Sequence, residues 1–578
     1  MTKPFLRRTA VLAAATLTVA GVAGVAAAAP AYGAPPSNPA SGNAATTQVR
    51  LITLNDFHGN LQPPAGSSGR ITLADGSTVD AGGAAFIATH VKQLRSEVQN
   101  SLVLSAGDNI GASPLASALF HDEPTIDFLN AIGVTASAAG NHEFDEGYQE
   151  LLRMENGGCH PVDGCQFRPT FGGADFPFLG ANVTFDNGEP ALAPVSIQRV
   201  NGIQIGVIGA TLEDLPSVVT PSAIEGLKFG DEVEAINRSS AVLDRMGIRT
   251  QVVVLHQGDS VTGTGGPDAC NLLPGGPGSQ IALGASPSID AIFAGHSHQA
   301  YNCALPDPAG NLRPVMQAAS FGRLLAVVDL QIDRASKDVV RSATIAHNHI
   351  VTRTVTPDPA VSALVDEAVS KSAPISNRRV GTITADIVRA GPPSGESALG
   401  NLIADSQLAA TQASAGAQIA LMNPGGVRTD LQFAGSTAGE GDGVVTYGEA
   451  FAVQPFSNIL QTLSYTGAQI DAVLEQQWLL NGPTRILQPS ASLHYTQTLA
   501  NPIGNRVSNI TINGVAVDPA ATYRVTVNNF LAAGGDSFSV LTQGTNLTGG
   551  PIDLDAFTAY LTANSPVAPP ATDRITVA

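Results

Sequence analysis

Nine residues able to bind metal or move protons stand in five short clusters of this chain. They are Asp56 and His58 in VRLITLNDFHGN, Asp108 in SLVLSAGDN, Asn141, His142 and Asp145 in VTASAAGNHEFD, His256 in TQVVVLHQGD, and His296 and His298 in IDAIFAGHSHQ. Carboxylates, an amide oxygen and neutral imidazoles together are donors for divalent ions such as Zn, Mn or Fe. GHSH alone would be an ordinary pair of loop histidines. Five such clusters, each closing an apolar run, point to one shared site.

The runs before the clusters are short and rich in Val, Ile, Leu and Ala, which predicts buried strands. Between several of them lie helix-compatible segments such as AAFIATHVKQLRSEVQ and DEVEAINRSSAVLDRMG. Alternating strands and helices imply a layered α/β domain, in which ligands bind at the carboxyl ends of the strands. The clusters can therefore converge although they span some 240 positions.

At 578 residues the chain is too long for one core, so two large domains, or three smaller ones, are expected. A hydrophobic content of 43% with 60 Gly and 38 Pro fits a loop-rich globular enzyme. The net charge of −19 argues against a nucleic acid polymer as partner but suits a small anion held by metal. Residues 1–34 read as a signal peptide, basic at Lys3, Arg7 and Arg8, then apolar, with cleavage expected between Ala29 and Ala34. Arg7 and Arg8 permit twin-arginine export, although their flanks fit a Sec-type start better. No later stretch is apolar enough to span a bilayer, so the mature protein is expected to be secreted or in the cell envelope without stable membrane insertion. Four cysteines in an exported chain favour disulfides. Three connectivities exist, and proximity prefers Cys159–Cys165 and Cys270–Cys303.

VTRTVTPDPAVSALVDEAVSKSAPISNRR changes character, with a helical pattern flanked by proline, and reads as a connector over 353–376. A second region, 377–578, has its own apolar runs and glycine-rich loops, among them ALMNPGGVRTDL and YRVTVNNFLAAGGDSFSVL.

The order D-x-H, GD, GNHEFD, H-x-G, GHSH closely resembles the calcineurin-like metallophosphoesterase domain of the 5′-nucleotidase family, and NPGGVR and NNFLAAGGDSF resemble that family's C-terminal domain. The resemblance covers nearly the whole mature chain. It implies an α/β fold with a four-layer α/β/β/α sandwich over 47–352, a helical linker or hinge over 353–376, and a second α/β substrate-binding domain over 377–578. It further implies two divalent ions, Zn, Mn or similar. Asp56, His58 and His298 would hold one, Asn141, His256 and His296 the other, and Asp108 would bridge them. His142 and Asp145 would form a catalytic pair, the carboxylate orienting the imidazole. Glu143 reads as a structural carboxylate and Phe144 as core.

In the second region the resemblance places Asn423, Gly425, Gly426 and Arg428 in a substrate-binding loop. Phe456 and Phe530 would clamp the nucleobase, with Asp536 near base or ribose. One stretch departs from the family: in RAGPPSGESALGNLIADS an arginine found in some members is missing, and Arg389 is the nearest substitute. His90, His121, His160, His347, His349 and His494 match no family motif. The expected activity is phosphate release from small nucleotides by a 5′-nucleotidase. Alternatives are UDP-sugar hydrolysis, 2′,3′-cyclic-nucleotide hydrolysis, or a binding protein without turnover, the last disfavoured by an intact set of nine residues.

Overall fold

The computed structural model describes residues 45–578 apart from 264, 435–438 and 480–483, so the signal peptide expected over 1–34 lies outside the described residues. The apolar runs form strands as expected. In chain order these are β1 (Thr46–Leu54), β2 (Ser101–Ser105), β3 (Val134–Ala138), β4 (Phe178–Leu179), β5 (Val195–Val200), β6 (Ile203–Thr211), β7 (Thr250–His256), β8 (Ala291–Ala294), β9 (Ala300–Pro306), β10 (Leu312–Ala318), β11 (Leu324–Asp333) and β12 (Ile345–Ile350). They build two six-stranded sheets, ordered β12-β11-β1-β2-β3-β4 and β9-β10-β8-β7-β6-β5. The central strands of each sheet run parallel; antiparallel strands close both edges of the second sheet and the β12–β11 edge of the first, whose other edge, β4, is parallel.

The two sheets pack face to face. Val49 and Leu51 of β1, Leu104 of β2, Val207 of β6, Val252 and Val254 of β7 and Val328 of β11 meet in one buried layer. On the far side of the first sheet pack α1 (Ala84–Ser96), α2 (Glu123–Ile132) and α3 (Tyr148–Asn156), and on the far side of the second α4 (Glu232–Arg245) and α5 (Pro277–Gly284). A parallel strand buried on both faces must be apolar at nearly every position, and β7 is buried throughout. The result is the four-layer α/β/β/α sandwich.

The connector contains α6 (Pro359–Ser376), capped by Asp358, whose carboxylate accepts from the backbone N–H groups of Ala360 and Val361. Its Val361, Leu364, Val365 and Ala368 are buried in the same core as α1 and α2. Arg168 ties α6 down further by bridging Asp127 at 2.6 Å and Glu367 at 2.8 Å.

The second region is also α/β. A five-stranded sheet of Gln488–Pro489, Ile419–Met422, Thr522–Asn528, Ile459–Thr466 and Thr545–Ile552, in that order, carries the long α7 (Ala398–Ala415), and a four-stranded sheet lies beside it. Cys159–Cys165 and Cys270–Cys303 are both disulfides. Among the described residues no helix is long and apolar enough to cross a membrane.

Candidate functional site

Each cluster lies where its strand stops. β1 runs into Asp56 and His58, β2 into Asp108, β3 into Asn141 and β8 into His296 and His298, while β7 ends on His256. Both sheets therefore deliver donors to one place. Asp56, His58, Asp108, His296 and His298 all have left-handed backbone, with φ of 49°, 47°, 50°, 68° and 58°. This region is costly for most side chains and, glycine apart, is most accessible to Asp, Asn and His.

One group of donors comprises Asp56, His58, Asp108 and His298, and a second comprises Asp108, His256 and His296. Within each group the donor atoms lie within 4.8 Å of one another, and Asp108 belongs to both. Asn141 joins the second group, its Oδ1 standing 2.9 Å from His296 Nδ1 and 3.2 Å from His256 Nε2. All seven predicted ligands thus converge. Backbone carbonyls orient two of the imidazoles: His58 Nδ1 lies 2.9 Å from the oxygen of Gly111, and His256 Nδ1 lies 2.8 Å from that of Ala106. Such partners fix a histidine's tautomer and leave the other nitrogen to a ligand.

The electrostatics fit a cation. Burial holds His58 well below the usual imidazole range, lowers His298, and brings His296 down to about 3, so these rings keep their lone pairs. Burial is the largest single influence on His256 and lowers it, but the charge and hydrogen bond of Asp108, together with the charges of Asp56 and Glu143, raise the group to about 9. The Asp108 carboxyl is pushed up by burial and pulled further down by His256, His142 and His58, ending well below its usual value. A shared, ionised, buried carboxylate among imidazoles is a donor set suited to two divalent ions.

Glu143 does more than the generic loop or cap role read from the sequence. Its carboxylate accepts from the backbone N–H of Asp108 (2.8 Å), Asn109 (2.7 Å) and Gly140 (2.5 Å) and from the Asn109 amide (3.0 Å), tying two donor loops together. Burial and the nearby Asp108 charge push it up to about 7 against these donors. Phe144 is buried in the core, as expected.

His142 Nδ1 lies 2.7 Å from Asp145 Oδ2, and its backbone N–H donates to Asp108 at 2.9 Å. Burial lowers the ring's pKa, but the charges of Asp145 and Asp108 raise it above the usual value. The imidazole therefore favours its cationic form.

Asn141, His142 and His296 open into a cavity of about 760 Å³ whose opposite wall is the second region. Asn423, Gly425, Gly426, Arg428, Phe456, Phe530 and Asp536 all line it. Asn423 follows the strand Ile419–Met422, and Phe530 follows its parallel neighbour Thr522–Asn528, so this wall also sits at strand ends. Asn423 donates to Asp536 at 2.8 Å and accepts from Asn528 at 3.1 Å. Gly535 leaves room for the Phe530 ring, since a Cβ there would stand 2.5 Å from it.

Arg428 Nη2 is buried without a hydrogen-bond partner, while Nη1 reaches only the oxygen of Gly425 at 3.4 Å. The charge of Arg389 is felt at Arg428, and the Arg389 backbone N–H donates to Asp430 at 2.9 Å, so the altered segment does bring an arginine near this wall. Arg485 escaped the sequence reading. It also lines the cavity and pairs with Asp536 at 3.3 Å.

Residues 49–300 match the family model of the calcineurin-like phosphoesterase, and residues 379–543 that of the 5′-nucleotidase C-terminal domain. The chain is 32% identical over 538 residues to the endonuclease YhcR of Bacillus subtilis, covering 92% of this chain but only 41% of that protein. It is 31% identical over 557 residues to the cell wall protein Lmo0130 of Listeria monocytogenes, covering 90% of this chain and 67% of the relative. The crystal structure of a 5′-nucleotidase precursor from Thermus thermophilus superposes with a TM-score of 0.75 at 26% identity, covering 92% of this chain and 99% of that one. With both halves matched and the strand-end site in place, the chain belongs to the 5′-nucleotidase family of metallophosphoesterases.

Proposed function

We propose that the chain is an exported, dinuclear 5′-nucleotidase that removes phosphate from small nucleotides between a metallophosphoesterase domain (47–352) and a substrate-binding domain (377–578). The observation that carries this reading is the shared cavity: donor residues at strand ends of the first region face an orphaned arginine and two phenylalanines of the second. Asp56, His58 and His298 would hold one ion, Asn141, His256 and His296 the other, and Asp108 both. When bound, such a pair would polarise phosphoryl oxygens and lower the pKa of water, so that it gives up a proton to solvent and attacks phosphorus as the stronger nucleophile.

The chain's own groups supply the rest. His142, kept protonated by Asp145, places positive charge beside the phosphoryl group or the departing oxygen. Arg428 Nη2 gives its free N–H to a phosphate oxygen. Phe456 and Phe530 hold a nucleobase by its π faces, which gives affinity with broad base tolerance. Asn423 and Asp536 supply polar contacts to base or ribose. Closure of the two domains completes the site, and because α6 packs into the first core, the swing is assigned to the residues just after Ser376. Export is supported by the two disulfides and the basic-apolar N-terminus.

A phosphate-release screen of the purified chain tests the reading. It should cover nucleoside mono-, di- and triphosphates, UDP-glucose and 2′,3′-cyclic nucleotides, each with Zn, Mn and Mg. Release from 5′-mononucleotides that requires added metal is the expected result. Nucleotide binding without turnover under every metal would overturn it.

A further inference from the structure

A second cluster of ligating side chains stands at the rim of the cavity, outside the strand-end site. His121, at the end of ALFHD, lies against the loop closed by Cys159–Cys165, which carries His160 and Asp163. The imidazoles of His121 and His160 stack at 4.0 Å with only 16° between their planes. His121 Nε2 is 3.0 Å from Asp163 Oδ2, His160 Nδ1 is 3.3 Å from the same oxygen, and the donor atoms of all three residues lie within 4.8 Å of one another. His160 Nδ1 also accepts from the backbone N–H of Asp163 at 3.1 Å.

The other nitrogen of His121 is oriented by a carboxylate. Nδ1 faces Glu146 Oε2 at 2.8 Å, the pattern in which an acceptor fixes one nitrogen and turns the other toward a ligand. His121 also sits in left-handed backbone, φ 49°, followed by Asp122 at φ 58°. The Asp122 carboxylate accepts from the N–H of Gly111, whose carbonyl in turn holds His58. The position of His121 is thus fixed from the central site outward.

Charge separates a cation site from a plain salt-bridge network. Arg153 bridges both Glu150 at 2.7 Å and Glu123 at 2.8 Å, so its one charge is already shared by two carboxylates, and Glu146 and Asp163 remain as two further carboxylates facing the pair of rings. One imidazolium offsets one of those charges, whereas one dication with both rings neutral offsets both. Two imidazoles and a carboxylate, with room for water, form a donor set suited to zinc.

We propose that His121, His160 and Asp163 form a third divalent-metal site, for zinc, on the rim of the substrate cavity. Binding releases the His121 proton to solvent, and side-chain rotation at His160 and at the half-exposed Asp163 closes the donors onto one ion. His121, Glu146 and Asp163 line the cavity, so the ion would add positive charge to the wall that nucleotides pass. Metal binding at the rim stands independently of the central site, while its effect on nucleotides rests on the proposed function.

Equilibrium dialysis of the full chain against buffered zinc, with metal per chain measured by mass spectrometry, tests it. His121→Gln/His160→Gln should hold one equivalent fewer than the unmodified chain. Asp108→Asn, which removes the shared ligand of the central site, should keep that rim equivalent. Melting curves in chelator verify that each variant is folded, and His160→Gln with Asp163→Asn provides a second rim variant. Equal zinc in the unmodified chain and both folded rim variants would overturn the proposal and leave His121 as an imidazolium bridge. A change confined to Asp108→Asn bears only on the central site.

Discussion

The ring of Phe456 lies 5.6 Å from the imidazole of His142, nearly parallel at 18°, so the second region lays an aromatic face directly against the imidazole that Asp145 orients. Arg428 lies over the same phenyl ring, 5.7 Å from its centroid. Phe530 lines the same cavity, and among the described residues no ring contact joins it to Phe456. The two phenylalanines expected to act as a matched clamp therefore have different surroundings, and substitutions should separate them.

Phe530→Ala should weaken nucleotide hydrolysis through KM, lowering kcat/KM by about 5- to 150-fold if stacking on a base is worth about 1–3 kcal/mol. It should leave p-nitrophenyl phosphate turnover nearly intact. Phe456→Ala should impair both substrates, because it also uncovers His142. Steady-state kinetics on the two substrates check this, and equal losses for Phe530→Ala on both would make that ring a packing residue.

Asp108→Asn should lower metal content and turnover together, since one carboxylate serves both donor groups. His142→Ala should keep the metals and lower kcat by about 10²- to 10⁴-fold, the usual worth of a positioned acid or charge-stabilising group. Metal analysis beside kinetics separates the two roles.

Glu143→Gln should lower metal affinity without touching any donor. The amide turns an N–H toward backbone N–H groups that now meet a carboxylate, at a cost of about 1–3 kcal/mol. A lower Tm with weaker zinc binding is the expected outcome, and unchanged values for both would deny Glu143 its role in holding the Asp108 and Gly140 loops.

Acid stability should depend on Glu367 of α6. Hydrogen bonds from Arg168 and then Lys371 hold its carboxyl down from 4.5 to about 2. A folded value below the unfolded one means the contribution is complete above about pH 5.5 and is lost progressively as pH falls through about 2. The Tm gap between the unmodified chain and Glu367→Gln should be largest near neutrality and close on acidification. Solvent screening at this partly exposed pair keeps the gap small.

Sequence and structure agree most closely where chemistry is local. Each donor cluster follows an apolar run within a few residues, so strand ends and candidate ligands were legible together, and the short spacing of Cys159 and Cys165 made that bridge readable. What escaped depends on distant chain segments meeting. Arg485 and Asp536 are 51 positions apart, and the bonds of Glu143 to Asp108 and Asn109 cross 35 and 34 positions, with nothing local to mark them. His121 and His160 match no family motif, and only the folded chain stacks them. The helix in the connector was visible from its proline-flanked pattern, but its burial against the first core follows from the matching face of α1 and α2 rather than from its own periodicity.

The left-handed backbone at Asp56, His58, Asp108, His296 and His298 restricts what can replace these residues. For most side chains that conformation costs about 1–2 kcal/mol, whereas Asp, Asn and His bear it more readily. Those three types are also oxygen and nitrogen donors for a divalent ion. The vocabulary the turns accept and the vocabulary the metals accept nearly coincide, so a substitution that spoils coordination usually strains the loop as well. Single changes that abandon metal binding yet leave the fold at ease are therefore few, and Asp-to-Asn exchanges are the mildest route by which a relative of this chain could lose catalysis and keep its shape.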